Sequence, residues 1–142
     1  MKEVKQNGPV PMDAMNGVIP YVAVDGAGTA AEFYSKAFGA VEAGPRMASD
    51  DGKRMMHIHL IINGGSLMLC DPFPEYGQEL QPSHSYTMTL VVADGQAWWD
   101  RAVAAGCRIK MPFAKAPWGD LYGGLLDPFG VNWAINQPVP PG

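Results

Sequence analysis

Two hexapeptides decide the fold: Tyr-Val-Ala-Val-Asp-Gly at residues 21–26 and Leu-Val-Val-Ala-Asp-Gly at residues 90–95. Each has the composition of a short apolar strand ended by an Asp-Gly turn. A helix pattern closed by a glycine, at 39 or 106, follows each, and a hairpin glycine comes later, at 65 or 130. The offset between the copies is 69, 67 and 65 residues at these three points. A nearly constant offset through strand, helix and hairpin predicts a duplicated strand–helix–strand–strand–strand (βαβββ) module.

This duplication sets the predicted organisation of the 142-residue chain. One domain is expected to contain an N-terminal tail at 1–16, a first module at 17–73, a linker at 74–85, a second module at 86–137 and a C-terminal tail at 138–142. The predicted fold class is α+β. One helix covers only one face of a sheet, so we expect the helices outside and two curved sheets facing each other across a central cleft.

The first helix has the clearest start and stop signals. Thr29 and Glu32 have the spacing of a capping box, which predicts a helix over 30–38 that stops at Gly39. Helical spacing predicts one buried face, made of Ala30, Phe33, Ala37 and Phe38. The second helix is predicted over 96–105, and Asn63-Gly64 predicts a tight hairpin turn.

Composition excludes several function classes. Ten basic residues against 14 acidic ones give a formal charge of −4, and the basic residues form no stripe, which argues against nucleic-acid binding. No apolar run is long enough to span a bilayer, and the N-terminus lacks the apolar region of a secretory signal. Cys70 and Cys107 lie in apolar contexts and are predicted to be buried thiols of a cytoplasmic protein.

Four segments carry a resemblance to a known family. They are Phe-Tyr-Ser-Lys-Ala-Phe-Gly-Ala at 33–40, Ala-Ala-Gly-Cys-Arg-Ile-Lys-Met-Pro at 104–112, Trp-Gly-Asp-Leu-Tyr-Gly at 118–123 and Asp-Pro-Phe-Gly-Val-Asn-Trp-Ala at 127–134. With the paired modules, they resemble the vicinal oxygen chelate superfamily of glyoxalases, bleomycin-resistance proteins and extradiol dioxygenases. The second-module segments resemble its glyoxalase-like branch, also labelled demethylubiquinone-methyltransferase-like. The resemblance covers about residues 17–137.

The resemblance also implies where a metal would bind. Its metal enzymes carry one ligand on the first and last strand of each module, which corresponds here to positions near Ile19, Met68, Thr87 and Ala134. None of these side chains is a good ligand for a divalent cation, so we expect no metal cofactor. The alternative is a metal held by His57 and His59, which point to the same face of a strand, together with a carboxylate such as Glu75 or Asp120 or with the third histidine, His84.

Strand alternation predicts a polar but uncharged lining for the cleft. Phe73 and Tyr76 are loop aromatics that could close it by stacking. The predicted ligand-binding residues are Tyr21, His57, His59, Thr87, Thr89, Trp118, Tyr122 and Asn132. No catalytic residue is identified.

We therefore expect a glyoxalase/bleomycin-resistance-like homodimer that binds a small aromatic or amphipathic molecule in a metal-free cleft, with a use in drug resistance. The dimer rests on the open sheet faces and edges and on the resemblance. The alternative is a metal-dependent lyase, isomerase or dioxygenase that uses His57 and His59. A methyltransferase is disfavoured, because the chain offers no glycine-rich nucleotide loop.

Overall fold

The computed structural model describes residues 9–140, and these form two compact units that divide between Gln81 and Pro82. Each unit contains one α-helix and one mainly antiparallel sheet, in the order strand, helix, strands. The predicted α+β class is confirmed, and both units follow the predicted βαβββ order, with one further short strand in the first unit. No helix within 9–140 has the length and apolarity needed to cross a membrane.

The first unit contains a five-stranded sheet. Its elements are β1 (Tyr21–Ala23), α1 (Ala27–Phe38), β2 (Val41–Glu42), β3 (Met47–Ala48), β4 (Met55–Ile62) and β5 (Gly65–Cys70). The strand order is β1-β5-β4-β2, and β3 also pairs with β4. Strand β1 runs parallel to β5, whereas the other pairs are antiparallel. The hairpin between β4 and β5 turns at Asn63 and Gly64, which both have positive φ (51° and 80°), as the Asn-Gly signal predicts.

The second unit repeats this plan with four strands. Its elements are β6 (Met88–Val91), α2 (Gly95–Ala105), β7 (Arg108–Lys115), β8 (Leu121–Leu126) and β9 (Asn132–Gln137). The order β6-β9-β8-β7 again places the first strand parallel to the last one. The duplication thus extends to the strand pairing itself.

Helix α1 begins earlier than the capping-box spacing predicts. The buried carboxylate of Asp71 accepts hydrogen bonds from the backbone N–H groups of Gly26 (2.8 Å) and Ala27 (2.9 Å). The helix therefore starts at Ala27, with left-handed Gly26 as its N-cap, and the prediction of Thr29 as the cap is wrong. The earlier start leaves the buried face almost as predicted, except that Tyr34 is fully buried in place of Phe33.

Helix α2 is held by its own last strand in a similar way. The side chain of Gln137 accepts a hydrogen bond from the N–H of Gly95 (2.8 Å), and Asp94 accepts one from Ala97 (3.2 Å). Farther along, Trp99 packs against Gly123 so closely that a Cβ there would lie 2.6 Å from its ring. A glycine at 123 is therefore required by packing.

Part of the predicted N-terminal tail is packed. Residues Met12–Ala14 form a turn of 3-10 helix, Ala14 is buried, and its carbonyl accepts a hydrogen bond from the Ser66 hydroxyl (2.6 Å). This finding corrects the interpretation of the tail as loose at these residues, because a backbone carbonyl and a methyl group are both engaged by the sheet. Residues 1–8 and 141–142 lie outside the described part of the chain.

Candidate functional site

The candidate site lies on the face of the first sheet that is opposite α1, where one tyrosine and two histidines lie close together. On β4, Ile58 and Leu60 are buried beneath the helix, so His57 and His59 point to the opposite face. The strand register places Met68 opposite both Tyr21 and His59, which forms one row across three strands. The predicted juxtaposition of Tyr21 with the two histidines is thus present within this unit.

Tyr21 and His57 form a hydrogen-bonded pair on this face. The Tyr21 hydroxyl donates to the carbonyl of Met56 (2.8 Å), and it also lies 3.2 Å from Nδ1 of His57. A phenol has one proton, and a carbonyl can only accept, so the second contact requires that Nδ1–H of His57 donates to Tyr21. Burial is the main cause that raises the pKa of Tyr21, with a smaller electrostatic contribution from Cys70, so the phenol keeps that proton.

His59 has the opposite arrangement. Its Nε2 lies 2.8 Å from the Ser66 hydroxyl, which donates its only proton to a hydrogen bond with the Ala14 carbonyl. His59 Nε2 is therefore the donor. Burial is the main cause that lowers the pKa of His59, with a smaller electrostatic contribution from His57, and it favours this neutral form.

A cavity of about 530 Å³ opens beside Tyr21 and His57, within the size range of small-molecule sites. Its wall is made of Tyr21, Met47, Met56, His57, Phe73, Tyr76 and Gln78. Strand pairing brings Met47 opposite His57, and a two-way backbone bridge between Phe73 and Gln78 folds the segment after β5 back onto this face. Four of the wall's apolar side chains are strongly exposed: Tyr21 (53%), Met47 (58%), Met56 (42%) and Tyr76 (74%).

A smaller and more polar cavity of about 340 Å³ adjoins the first one. The two share Met56, Phe73 and Tyr76. Beside them, Arg54 pairs with both oxygens of the Glu75 carboxylate (3.1 and 2.5 Å), and its guanidinium lies 4.1 Å from the centre of the Phe73 ring. The hydrogen bonds from Arg54 lower the pKa of Glu75 to about 2.

The remaining predicted ligand-binding residues belong to the second unit. Thr87 and Thr89 are exposed, and the exposed Trp118 lies edge-on to Tyr122 at 5.2 Å between ring centres. Asn132 is buried, and its side-chain oxygen accepts a hydrogen bond from a lysine, Lys110 (2.9 Å). For these residues a ligand contact stays a prediction.

Sequence reasoning missed part of the cavity wall. Phe73 and Tyr76 were expected near a ligand, whereas Met47, Met56 and Gln78 were not. Met47 lies on the short strand β3, which was not predicted, and this strand pairs with β4, which contains Met56.

The residues present do not fit a divalent cation. Within 9–140, no group of three or more His, Cys, Asp or Glu side chains lies close enough together to hold a metal ion. His57 and His59 each commit one ring nitrogen to a hydrogen bond, Glu75 is paired with an arginine, and Asp120 accepts from an asparagine. Structural and catalytic zinc sites need at least three protein ligands, which this pair does not supply.

The register sharpens the comparison with the family's metal positions. Ile19 and Thr87 lie before the first residues of β1 and β6. The first-strand residues that pair with the predicted last-strand positions are instead Tyr21, opposite Met68, and Thr89, opposite Ala134. Neither choice of first-strand residue supplies a histidine or a carboxylate.

The two thiols are not activated. Cys70 and Cys107 are both buried, and burial is the main cause that raises their pKa values, to about 12 for Cys107. A thiol that stays protonated is a poor nucleophile, so neither cysteine is a candidate catalytic group.

Three comparisons with known proteins bear on these findings. The family model described as the Glyoxalase/Bleomycin resistance protein/Dioxygenase superfamily matches residues 17–135. An uncharacterised protein of Mycobacterium bovis is 40% identical over 126 residues, which covers 84% of this chain and 82% of that protein. An uncharacterised protein of Mycobacterium tuberculosis is equally identical over 126 residues, covering 84% of this chain and 73% of its own.

Solved structures share the fold at low identity. A crystal structure of a Pseudomonas aeruginosa protein has a TM-score of 0.68 at 24% identity, and the match covers 84% of this chain and 96% of that one. A glyoxalase-related enzyme from Fulvimarina pelagi also has a TM-score of 0.68, at 21% identity, with 87% and 88% covered. Likeness at this level of identity concerns the fold alone.

Proposed function

Because the chain belongs to the glyoxalase/bleomycin resistance protein/dioxygenase superfamily, we propose that it is a binding protein whose first unit holds a small, flat and mostly apolar molecule. The observation that carries this proposal is the wall of the 530 Å³ cavity, where five apolar or aromatic side chains surround two polar ones, His57 and Gln78. Such a composition is typical of small-molecule sites, in which apolar surface provides affinity and a few polar groups fix orientation.

The wall also suits ligands of varied shape. Met47 and Met56 are unbranched and polarisable, so they adapt to irregular surfaces, while Phe73 and Tyr76 stack with 6.2 Å between ring centres. Flat aromatic molecules gain affinity from contact with such rings. Sequestration of a toxic aromatic compound, as in drug resistance, is the use that we propose for this binding.

The homodimer and the reducing compartment are further parts of the proposal. Among the described residues of the first unit, strand β1 is an edge strand that pairs with β5, and an edge strand offers backbone groups for pairing with a second chain. Light scattering that shows a monomer at all concentrations would contradict the dimer without affecting the cavity.

The proposal is tested by calorimetric titration with 2-naphthol, a flat bicyclic probe much smaller than the cavity. We expect saturable binding by the natural protein and a three- to tenfold weaker affinity, on the order of 0.5–1.5 kcal/mol for one lost aromatic contact, in Tyr76→Ala. Tyr86→Ala is the matched control, because Tyr86 is also exposed but does not line the cavity. Absence of saturable binding, or an equal loss in both variants, would contradict the proposal.

A further inference from the structure

We propose that His57 selects among cavity ligands by presenting an unprotonated Nε2, and that Tyr21 holds it in this tautomer. The preferred ligand is then an aromatic molecule with a hydrogen-bond donor at its edge, such as a phenol or enol. This inference deepens the proposed function and rests on it.

The directions of the hydrogen bonds around Tyr21 assign the tautomer of His57. The Tyr21 hydroxyl donates to the Met56 carbonyl at 2.8 Å, so its oxygen is left to accept the 3.2 Å contact with His57. Nδ1 of His57 therefore carries the proton. In a neutral imidazole only one nitrogen is protonated, which makes Nε2 an acceptor.

Nε2 of His57 is available to a ligand in the cavity. His57 lines the 530 Å³ cavity, and Nε2 has no hydrogen-bond partner among the described residues. Of the other polar groups in the wall, the Tyr21 proton is committed to a backbone carbonyl, while the Gln78 amide and the Tyr76 hydroxyl can each donate or accept. His57 is thus the wall side chain whose free polar atom is fixed as an acceptor, which favours a donor on the ligand and disfavours a carbonyl oxygen at that position.

His59 provides an internal comparison on the same strand. Its Nε2 donates to Ser66, so the two histidines are assigned opposite tautomers although they lie only 6.3 Å apart, ring centre to ring centre. The difference arises from their partners. Nδ1 of His57 faces a tyrosine hydroxyl that already donates to a backbone carbonyl, whereas Nε2 of His59 faces a serine hydroxyl that does the same.

The first experiment compares 2-naphthol with 2-methoxynaphthalene, which has the same ring system but no donor. One net hydrogen bond corresponds to about a three- to tenfold difference in affinity, so we expect the natural protein to prefer 2-naphthol by that factor. The preference should vanish in His57→Phe and persist in His57→Gln, whose side-chain oxygen can accept at the position of Nε2. In Tyr21→Phe it should weaken, because His57 is then free to move its proton to Nε2.

The outcomes separate the two proposals. Equal binding of both probes by the natural protein, or a preference that survives in His57→Phe, overturns the role of His57 but leaves the cavity as a binding site. Failure of both probes to bind overturns the proposed function and this inference together.

The second experiment needs no ligand. Two-bond ¹H–¹⁵N correlation spectra distinguish the imidazole tautomers, and we expect Nδ1–H at His57 and Nε2–H at His59 in the natural protein. In Tyr21→Phe, only the His57 pattern should change, while the unchanged His59 pattern shows that the sheet is intact. An Nε2–H tautomer at His57 in the natural protein would overturn the inference.

Discussion

Replacing Asp71 by alanine should strongly lower the stability of the first unit, because one side chain accepts several backbone hydrogen bonds. Asp71 is only 6% exposed, and its carboxylate accepts from the backbone N–H groups of Gly26 (2.8 Å), Ala27 (2.9 Å) and Met55 (2.6 Å). Hydrogen bonds to a charged group contribute about 1.5–3 kcal/mol each, and bonds that share one carboxylate are not additive. We therefore expect Asp71→Ala to lower the free energy of unfolding by about 3–5 kcal/mol.

A second variant of Asp71 tests how its two oxygens share these hydrogen bonds, with Oδ1 accepting from Gly26 and Ala27 and Oδ2 from Met55, and a third variant is a control. Asp71→Asn keeps one oxygen for Gly26 and Ala27 but places an amide N–H₂ against the N–H of Met55, so we expect roughly half the loss of the alanine variant, about 1.5–3 kcal/mol. Asp50→Ala is the control, because Asp50 is exposed; its effect should stay within about 0.5 kcal/mol.

The assay must report on the first unit. All four tryptophans lie between residues 98 and 133, in the second unit, so tryptophan fluorescence does not follow the first one. Amide hydrogen exchange of α1 and β4 does, and the expected loss corresponds to a fall in protection of about two to three and a half orders of magnitude. Protection in Asp71→Ala within tenfold of the natural protein would refute the reasoning, and an asparagine variant as damaged as the alanine one would refute the roles of the two oxygens.

Three other predictions follow from single contacts. Gly123→Ala should cost about 1–3 kcal/mol by urea unfolding, because its Cβ would meet a ring and a backbone atom within 2.8 Å, whereas Gly124→Ala, with no atom nearer than 3.5 Å, should be much less costly. Cys107, whose pKa is raised to about 12, should resist iodoacetamide at mildly alkaline pH until urea is added, and labelling of the folded protein would contradict its burial. Arg54→Gln should return the pKa of Glu75 from about 2 towards its ordinary value, as followed by carboxyl ¹³C NMR; the stability that this pair contributes is present above the ordinary pKa and is lost as the pH falls towards 2.

The duplication was readable from the sequence because each module repeats the same local signals. Asp-Gly turns, helix-ending glycines and the Asn63-Gly64 hairpin all act over a few residues, and a constant offset joined them into two modules. The predicted placement of Tyr21, His57 and His59 on one sheet face followed from strand alternation in the same way.

The errors come from contacts that are distant in the sequence. The start of α1 is set by Asp71, which follows it by 44 residues, so the local capping signal at Thr29 was misleading. The hydrogen bond from Ser66 to Ala14 spans 52 residues and holds a segment that composition alone describes as a tail. The periodicity of apolar residues does not reveal hydrogen-bond partners that are this distant in the sequence.

The most direct test of the binding cavity is a methionine-methyl NMR titration with 2-naphthol. Met47 and Met56 line the cavity, whereas Met12 is 83% exposed and lies outside it. A bound aromatic ring should shift the methyl signals of Met47 and Met56 in a saturable manner and leave that of Met12 in place. Unchanged signals at Met47 and Met56, or equal shifts at Met12, would contradict the proposed site.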